Sequence, residues 1–462
     1  MVSQLKKNKD FYKMLMTIAI PIMIQNGITN FVNLLDNLMV GQLGTLEMSS
    51  VSISNQLIFV FNLTMFGGLA GAGIFTSQFF GKKDMQGVKQ TIRFKLYLAC
   101  IILCCALALF RSKGDSLISM YLKGDNSAAD TAATLSYALG YVHIMMIGFI
   151  PFAFTQSLAS TLRECGQTKL PMKAGVAAIL INLVFNYLLI FGHFGFPRLG
   201  VKGAAVATVI SRFAEVTIIF TAVKLNRDKY YFMQNIFDSY KIDGALAGKI
   251  LIKGAPLLAN ESLWAFGISL VARCYSFMGL GVVAAYNITT TVTNLFKVVY
   301  LSMGTTTAIV LGHDLGADKK DRAFEDANKI LWFSVGLGAF ISVMLFVASF
   351  FIPSLYNTSH EIRALATKLI IVFALFAPVQ SFINVAYFVV RSGGKTLITF
   401  LFDAGFVWAV TLPVAYIVSH FTGLGMIWCY FIVNFADILK AVIGYILIQK
   451  KIWVVNMVGE SQ

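Results

Sequence analysis

The sequence predicts an all-α integral membrane protein of twelve transmembrane helices, in two six-helix lobes related by a pseudo-two-fold axis along the membrane normal. Composition, apolar spans and a tandem repeat carry this expectation. Of 462 residues, 57% are hydrophobic and 13% charged, against roughly 25% charged in soluble domains. A water-soluble chain has too few polar groups here to cover its surface. Lipid can replace that cover, provided the apolar residues come in runs of roughly 20.

They do. Spans are expected near 14–40, 51–80, 92–110, 132–162, 174–194, 201–223, 251–275, 285–311, 330–352, 364–390, 398–418 and 424–448. The long span 132–162 requires a tilt or kink, and Pro151 can supply it. Alternation with period two, the barrel pattern, is absent.

The repeat appears when the chain is shifted by 235 residues. Pro21 then meets Pro256, Gly44 meets Gly279, Phe61 meets Phe296, Gly81 meets Gly316 and Leu96 meets Leu331. Further on the shift is 228: Arg163, Gly166 and Thr168 meet Arg391, Gly394 and Thr396, with Pro151 near Pro378. Six spans per half is an even number, so the second half keeps the orientation of the first. This divides the chain into an N-terminal lobe 1–223, a cytoplasmic linker 224–250 and a C-terminal lobe 251–462. The linker is basic and carries Tyr230, Tyr231, Phe232, Ile236 and Phe237. It reads as either an interfacial amphipathic segment or a plain connection. A chamber between the halves is the expected place for a substrate.

The net charge of +15 suggests nucleic acid until its distribution is read. Of the 37 Lys and Arg residues, 26 fall on the two tails and one alternating set of loops, and 7 on the other set. That is the positive-inside bias, which places both termini in the cytoplasm of a cell inner (plasma) membrane. The basic excess then reports topology and anionic lipid, not nucleic acid. Lys6, Lys7, Lys9 and Lys13 precede an apolar run without a small-residue cleavage site, so no cleavable signal peptide is expected. The six cysteines lack CxxC spacing, and Cys100, Cys104 and Cys105 fall inside a span, which argues against a disulfide or zinc site.

Gly393-Gly394-Lys395-Thr396 looks like the end of a phosphate-binding loop, but Val389 stands where that loop requires glycine. It and Gly166-Gln167-Thr168-Lys169 read as turns. With no nucleotide site, transport is expected to run on an ion gradient. Ionisable residues inside spans are the main signal, because each is costly in lipid. Asp36 is the only acid of the first span, with Asn33 and Asn37 within one turn. Glu215 follows Arg212 and Asp437 precedes Lys440 at spacing three, so both acids read as neutralised on their own helices. Glu261, whose repeat mate is Asn26, and Asp403 have no such neighbour, and both are expected to contact a cationic substrate. Asn182, Asn186 and Thr208 offer oxygen ligands suited to sodium, or else simple interhelical packing. The five histidines lack ligand spacing; His143 reads as packed and neutral, or as a proton relay. The 18 Met and 40 Phe face lipid or core, with a few available to line an adaptable chamber.

Three stretches resemble multidrug and toxic compound extrusion (MATE) transporters, nearly chain-wide and in order. They are Leu35-Asp36-Asn37-Leu38-Met39-Val40-Gly41-Gln42-Leu43-Gly44, Gly200-Val201-Lys202-Gly203-Ala204-Ala205-Val206-Ala207-Thr208, and Arg163-Glu164-Cys165-Gly166-Gln167-Thr168-Lys169. The resemblance is closest to the DinF-like branch. It implies a proton- or sodium-coupled antiporter that exports organic cations, drugs or amphiphilic metabolites by alternating access. It also implies an ion site at Asp36, Asn182, position 186 and Thr208, with sodium as the metal alternative. Position 186 is Asn here where the branch carries Asp. NorM-like members use a seventh-helix Glu, which corresponds to Glu261. The resemblance predicts a small-molecule substrate, no nucleotide, no cofactor beyond the coupling ion, and a monomer. The alternative within the same superfamily is a flippase for lipid-linked intermediates, which calls for a more cationic cavity. A membrane-embedded enzyme is disfavoured, because HExxH, GxSxG and paired His–acid motifs are missing.

Overall fold

The computed structural model describes residues 2–122, 128–356 and 358–459. Every regular element among them is helical. Twelve helices are long and apolar enough to cross a membrane. They are α1 (Val2–Gly41), α2 (Thr45–Lys82), α3 (Met85–Ser119), α4 (Ala128–Glu164), α5 (Lys169–Phe191), α6 (Val201–Leu225), α7 (Gly244–Ser276), α8 (Leu280–Gly316), α9 (Lys320–Phe351), α10 (His360–Ser392), α11 (Thr396–Phe421) and α12 (Met426–Gln449).

Most helices outrun their expected spans. The apolar run 92–110 is the middle of Met85–Ser119, and 251–275 begins seven residues inside Gly244–Ser276. Hydropathy marks only the part of a helix that lies in hydrocarbon. Backbone hydrogen bonding continues through charged turns such as Lys89–Lys95. Conversely, α11 is less regular than 398–418 suggests. Two π-helical segments, Leu401–Gly405 and Val407–Thr411, lie between its α-helical ends. The expected linker contains two 3-10 turns, Tyr231–Met233 and Ile236–Asp238, rather than an amphipathic helix. Phe232, Met233 and Ile236 are buried there, while Tyr231 and Phe237 stay exposed.

The helices are apolar outside and small inside, as lipid requires. On α9, Ala323, Ala327, Ile330, Ser334, Gly338, Ile341 and Leu345 recur at helical spacing and are buried. Trp332, Phe340, Val343 and Phe350 point outward. Gly338 lets α9 approach the backbone of Pro378, and Ser381 Oγ donates to Ser334 O at 2.7 Å beside it. Such small-residue contacts, not hydrophobic exclusion, hold membrane helices together.

The chain forms two compact units. One contains residues 20–76 and 85–248; the other contains 1–19, 77–84 and 249–462. The first has an apolar core around Phe61, Met65, Tyr141, Phe149 and Ile190, with Phe61 stacked on Phe149 at 4.4 Å. The second has a core around Tyr275, Val292, Leu345, Leu369 and Phe373. Residues 77–84 join the second unit, although the sequence places them within 1–223. The reason is steric: a Cβ at Gly81 would collide with the backbone of His313, and one at Gly316 with that of Gln78. The two contacts are reciprocal in the 235-residue register. Gln78 adds bonds from Nε2 to Ser392 O (3.0 Å) and Val455 O (3.3 Å), and accepts from Met457 N (2.7 Å).

The repeat is also written in the backbone. Left-handed or positive φ recurs at mates: Gly44 and Gly279 (150° and 116°), Lys83 and Asp318 (63° and 56°), Gly166 and Gly394 (74° and 71°). The last pair lies in the two equivalent turns, of which Gly393-Gly394-Lys395-Thr396 looks like the end of a phosphate loop. At Gly394 the space belongs to Met457, and at Gly393 to the Trp453 backbone, so no cradle is open there.

Candidate ion-coupling and substrate sites

Residues four apart share a helix face, so α5 presents Asn182 and Asn186 together. α1 brings Asp36 to them and α6 brings Thr208. Asn186 Nδ2 donates to Asp36 Oδ1 at 2.6 Å and to Asn182 Oδ1 at 3.1 Å. Asn182 Nδ2 donates to Thr208 Oγ1 at 3.2 Å. Turning the Asn182 amide over instead lets it donate to both Asp36 oxygens, at 3.2 and 3.1 Å, and accept from Thr208. All four residues named by the resemblance therefore meet. The neighbouring polar residues of α1 expected to flank the carboxylate, Asn33 and Asn37, have side chains outside the described residues.

The cluster opens on a cavity of about 340 Å³, lined also by Asn55, Asn62, Tyr141 and Arg212. Two carbonyl oxygens, Asn186 Oδ1 and Asn62 Oδ1, are buried without a hydrogen-bond partner. A site with one carboxylate and several neutral oxygens suits a proton or a monovalent cation. No cluster of three His, Cys, Asp or Glu that could hold a metal occurs among the described residues.

Arg212 and Glu215 interact electrostatically, as their spacing on α6 suggests, with Arg163 as a second cation acting on Glu215, though without a close ion pair among the described residues. The Arg212 guanidinium also lies 4.2 Å from the Phe152 ring centroid. His143 is exposed on α4 and does not line the Asp36 cavity.

A second polar centre forms in the other unit. Asn260 Nδ2 donates to Asp403 Oδ2 at 3.1 Å and to Tyr387 Oη at 3.3 Å. Its carbonyl accepts from Ala404 N at 3.1 Å, inside the first π segment. Tyr387 Oη reaches Glu261 Oε1 at 3.5 Å. Glu261 and Asp403 thus share one network. Asp403 is not a lone acid, as spacing along its own helix suggested. Lys440 Nζ lies 2.7 Å from Asp403 Oδ1 in a largely buried ion pair. Lys440 also sits near the Phe402 and Phe406 rings, at 5.4 and 5.7 Å. Asp437, the expected partner of Lys440, still feels its charge and also accepts from Gln380 Nε2 at 2.6 Å.

Sequence reasoning missed Asn260, Tyr387 and Lys440 in this network. One signal was available. At a shift of 228, Lys440 is the mate of Arg212, so both halves place a cation at the same point of their sixth helix. Lys95, fully buried on α3, and its partner Glu164 were also missed as a pair. Thr161 Oγ1 lies 3.2 Å from the same ammonium.

Comparison with known proteins agrees with this architecture. Over 455 residues the chain is 25% identical to a protein named probable multidrug resistance protein YoeA from Bacillus subtilis, covering 96% of this chain and 95% of that one. It is 24% identical to multidrug resistance protein PmpM from Pseudomonas aeruginosa, over 87% and 83% of the two chains. Among solved structures, an outward-facing multidrug resistance MATE family transporter of the MOP superfamily superposes with a TM-score of 0.85. It is 18% identical and is covered to 95%, as is this chain. A MOP superfamily transporter from Pyrococcus furiosus, also 18% identical, gives 0.84 over 95% of both chains. The family model described as MatE matches residues 21–188 and 258–417, once in each half. With most of its length covered by these two matches, the chain belongs to the MATE family, a family of multi-pass membrane transporters rather than enzymes.

Proposed function

We propose that this transporter exports organic cations, drugs or amphiphilic metabolites by alternating access, in exchange for protons, with Asp36 as the coupling carboxylate. One observation carries the reading: the Asp36, Asn182, Asn186 and Thr208 cluster beside a cavity of about 340 Å³. A carboxylate held among lipid-surrounded helices requires compensation. Here the Asn186 amide at 2.6 Å provides part of it. A proton provides the rest without displacing any side chain. Ion and substrate that favour different states of one carboxylate are thermodynamically coupled, and the coupling is reciprocal. The names of the relatives favour drug export over lipid flipping.

Sodium is the second reading, favoured by the unpartnered Asn186 Oδ1. Rotating that amide presents its oxygen toward the carboxylate and completes an all-oxygen set with Asn182 and Thr208. Glu261 and Asp403 are proposed to contact the cationic substrate. The positive-inside bias supports a cell inner (plasma) membrane location with both termini cytoplasmic, and the protein is taken to act as a monomer with no cofactor beyond its ion. The test is uphill efflux from proteoliposomes under separately imposed pH and sodium gradients. Efflux driven by the pH gradient in sodium-free buffer supports the proton. Efflux only under a sodium gradient replaces it with sodium, and none under either removes the antiport reading.

A further inference from the structure

Two cavities of opposite character are lined by neighbouring residues near the start of α3 and beyond the end of α6. The polar one, about 500 Å³, is lined by Lys89, Gln90 and Arg93 of α3 and by Asp238, Lys241 and Asp243 beyond α6. The apolar one, about 390 Å³, lies one turn further along α3 at Leu96 and runs between Leu158 of α4 and Val216 and Phe220 of α6. Ile236 and Phe237 also line it. The segment between α6 and α7, which contributes residues to both, is fastened to α3. Arg93 Nε donates to Ile236 O at 2.7 Å and Nη1 to Lys241 O at 3.3 Å, while Tyr97 Oη donates to Tyr240 O at 3.0 Å.

We propose that this pair of cavities is a binding site for a phospholipid with an anionic headgroup: one acyl chain fills the apolar cavity and the headgroup sits in the polar one. Charge complementarity identifies the occupant. Arg93 is committed to backbone carbonyls, and the Asp243 carboxylate accepts from Ala245 N at 3.1 Å at the start of α7. Lys89 and Lys241 make no ion pair among the described residues, and with Arg93 they outnumber the carboxylates of Asp238 and Asp243 that line the polar cavity, leaving it net positive. Basic pockets at the ends of transmembrane helices bind anionic headgroups in this way. The apolar neighbour explains why a lipid fits better than a free phosphate. The segment is then held in place by lipid as well as by Arg93, and the site works independently of the ion cluster.

Binding to the purified full-length protein tests this by native mass spectrometry and thermal shift. The probes are phosphatidylglycerol, phosphatidylcholine and inorganic phosphate. Phosphatidylglycerol is expected to bind at least about fivefold more tightly than phosphatidylcholine, and the Lys89→Gln/Lys241→Gln protein to lose that preference. Val216→Phe, which fills the apolar cavity, should weaken both lipids several-fold. Equal binding of the two lipids, an unchanged preference in the lysine double variant, or a full thermal shift with phosphate alone would each overturn the proposal. The lysines are at the surface, so their variant remains informative even if Val216→Phe fails to fold.

Discussion

Asn186 donates to Asp36 Oδ1 at 2.6 Å, so the position where the DinF-like pattern carries a second carboxylate here supplies a hydrogen-bond donor. The donor compensates the acid without adding charge. Asn186→Asp should replace that donor with a second acid beside the first. Two carboxylates this close repel unless a proton or cation lies between them. The variant should therefore gain sodium dependence, measured as the ratio of efflux under sodium and pH gradients. An unchanged ratio with normal expression would show that position 186 does not choose the ion.

The ion pair of Lys440 with Asp403 leads to a stability prediction. Removing one member leaves the other buried without compensation, at a cost of about 3–5 kcal/mol. Asp403→Asn should thus lower the unfolding temperature sharply in detergent. The double variant Asp403→Asn/Lys440→Met should recover much of the loss. If both proteins melt like the wild type, the pair is too hydrated to matter.

Much of the fold was readable because lipid imposes simple rules. Twelve apolar runs, the register of Pro21 with Pro256 and the glycine mates all reflect constraints that act along the chain. The pairing of Asp403 with Lys440 was not readable. It joins residues 37 apart on different helices, and Asp403 itself lies within a π-helical segment, where spacing rules for a regular helix do not apply. Similarly, spacing related Asp437 to Lys440, and tertiary packing added a hydrogen bond from Gln380 that spacing could not show. The residues around Asp36 were nameable from an intramembrane acid and the Asn182–Asn186 spacing, but their convergence was implied only by the resemblance, since contact between α1, α5 and α6 leaves no periodic signal along the chain.

Glu261 tests where substrate charge is read. It reaches Tyr387 at 3.5 Å and makes no ion pair among the described residues. A carboxylate in a low-dielectric setting attracts a cation more strongly than one in water. Glu261→Gln should lower export of a cationic substrate more than that of a neutral one of similar size. Equal losses would assign Glu261 to structure or coupling instead.

The asymmetric placement of Lys and Arg makes sidedness testable. In a protein without native cysteines, Ser127→Cys should react with an impermeant thiol reagent added outside the cell; Ser127 lies outside the described residues. Lys395→Cys, in the turn between α10 and α11, should react only after permeabilisation. The reverse pattern would invert the topology.

Asp36→Asn is the sharpest test of the mechanism. The substitution keeps the shape and removes the charge. Asn186 Nδ2, which donates to Asp36 Oδ1, retains an acceptor in the new amide oxygen. Folding and membrane insertion should therefore survive, and substrate binding should survive in part. What disappears is the group whose ionisation links the gradient to the substrate. An amide neither takes up a proton nor offers a negative charge to sodium, so the reciprocal coupling falls to nothing. Uphill efflux from proteoliposomes should be abolished under a pH gradient and under a sodium gradient alike, while downhill exchange of substrate persists at a reduced rate. Wild-type uphill efflux from the Asp36→Asn protein under either gradient would remove this carboxylate from the coupling step and move attention to the Glu261 and Asp403 network.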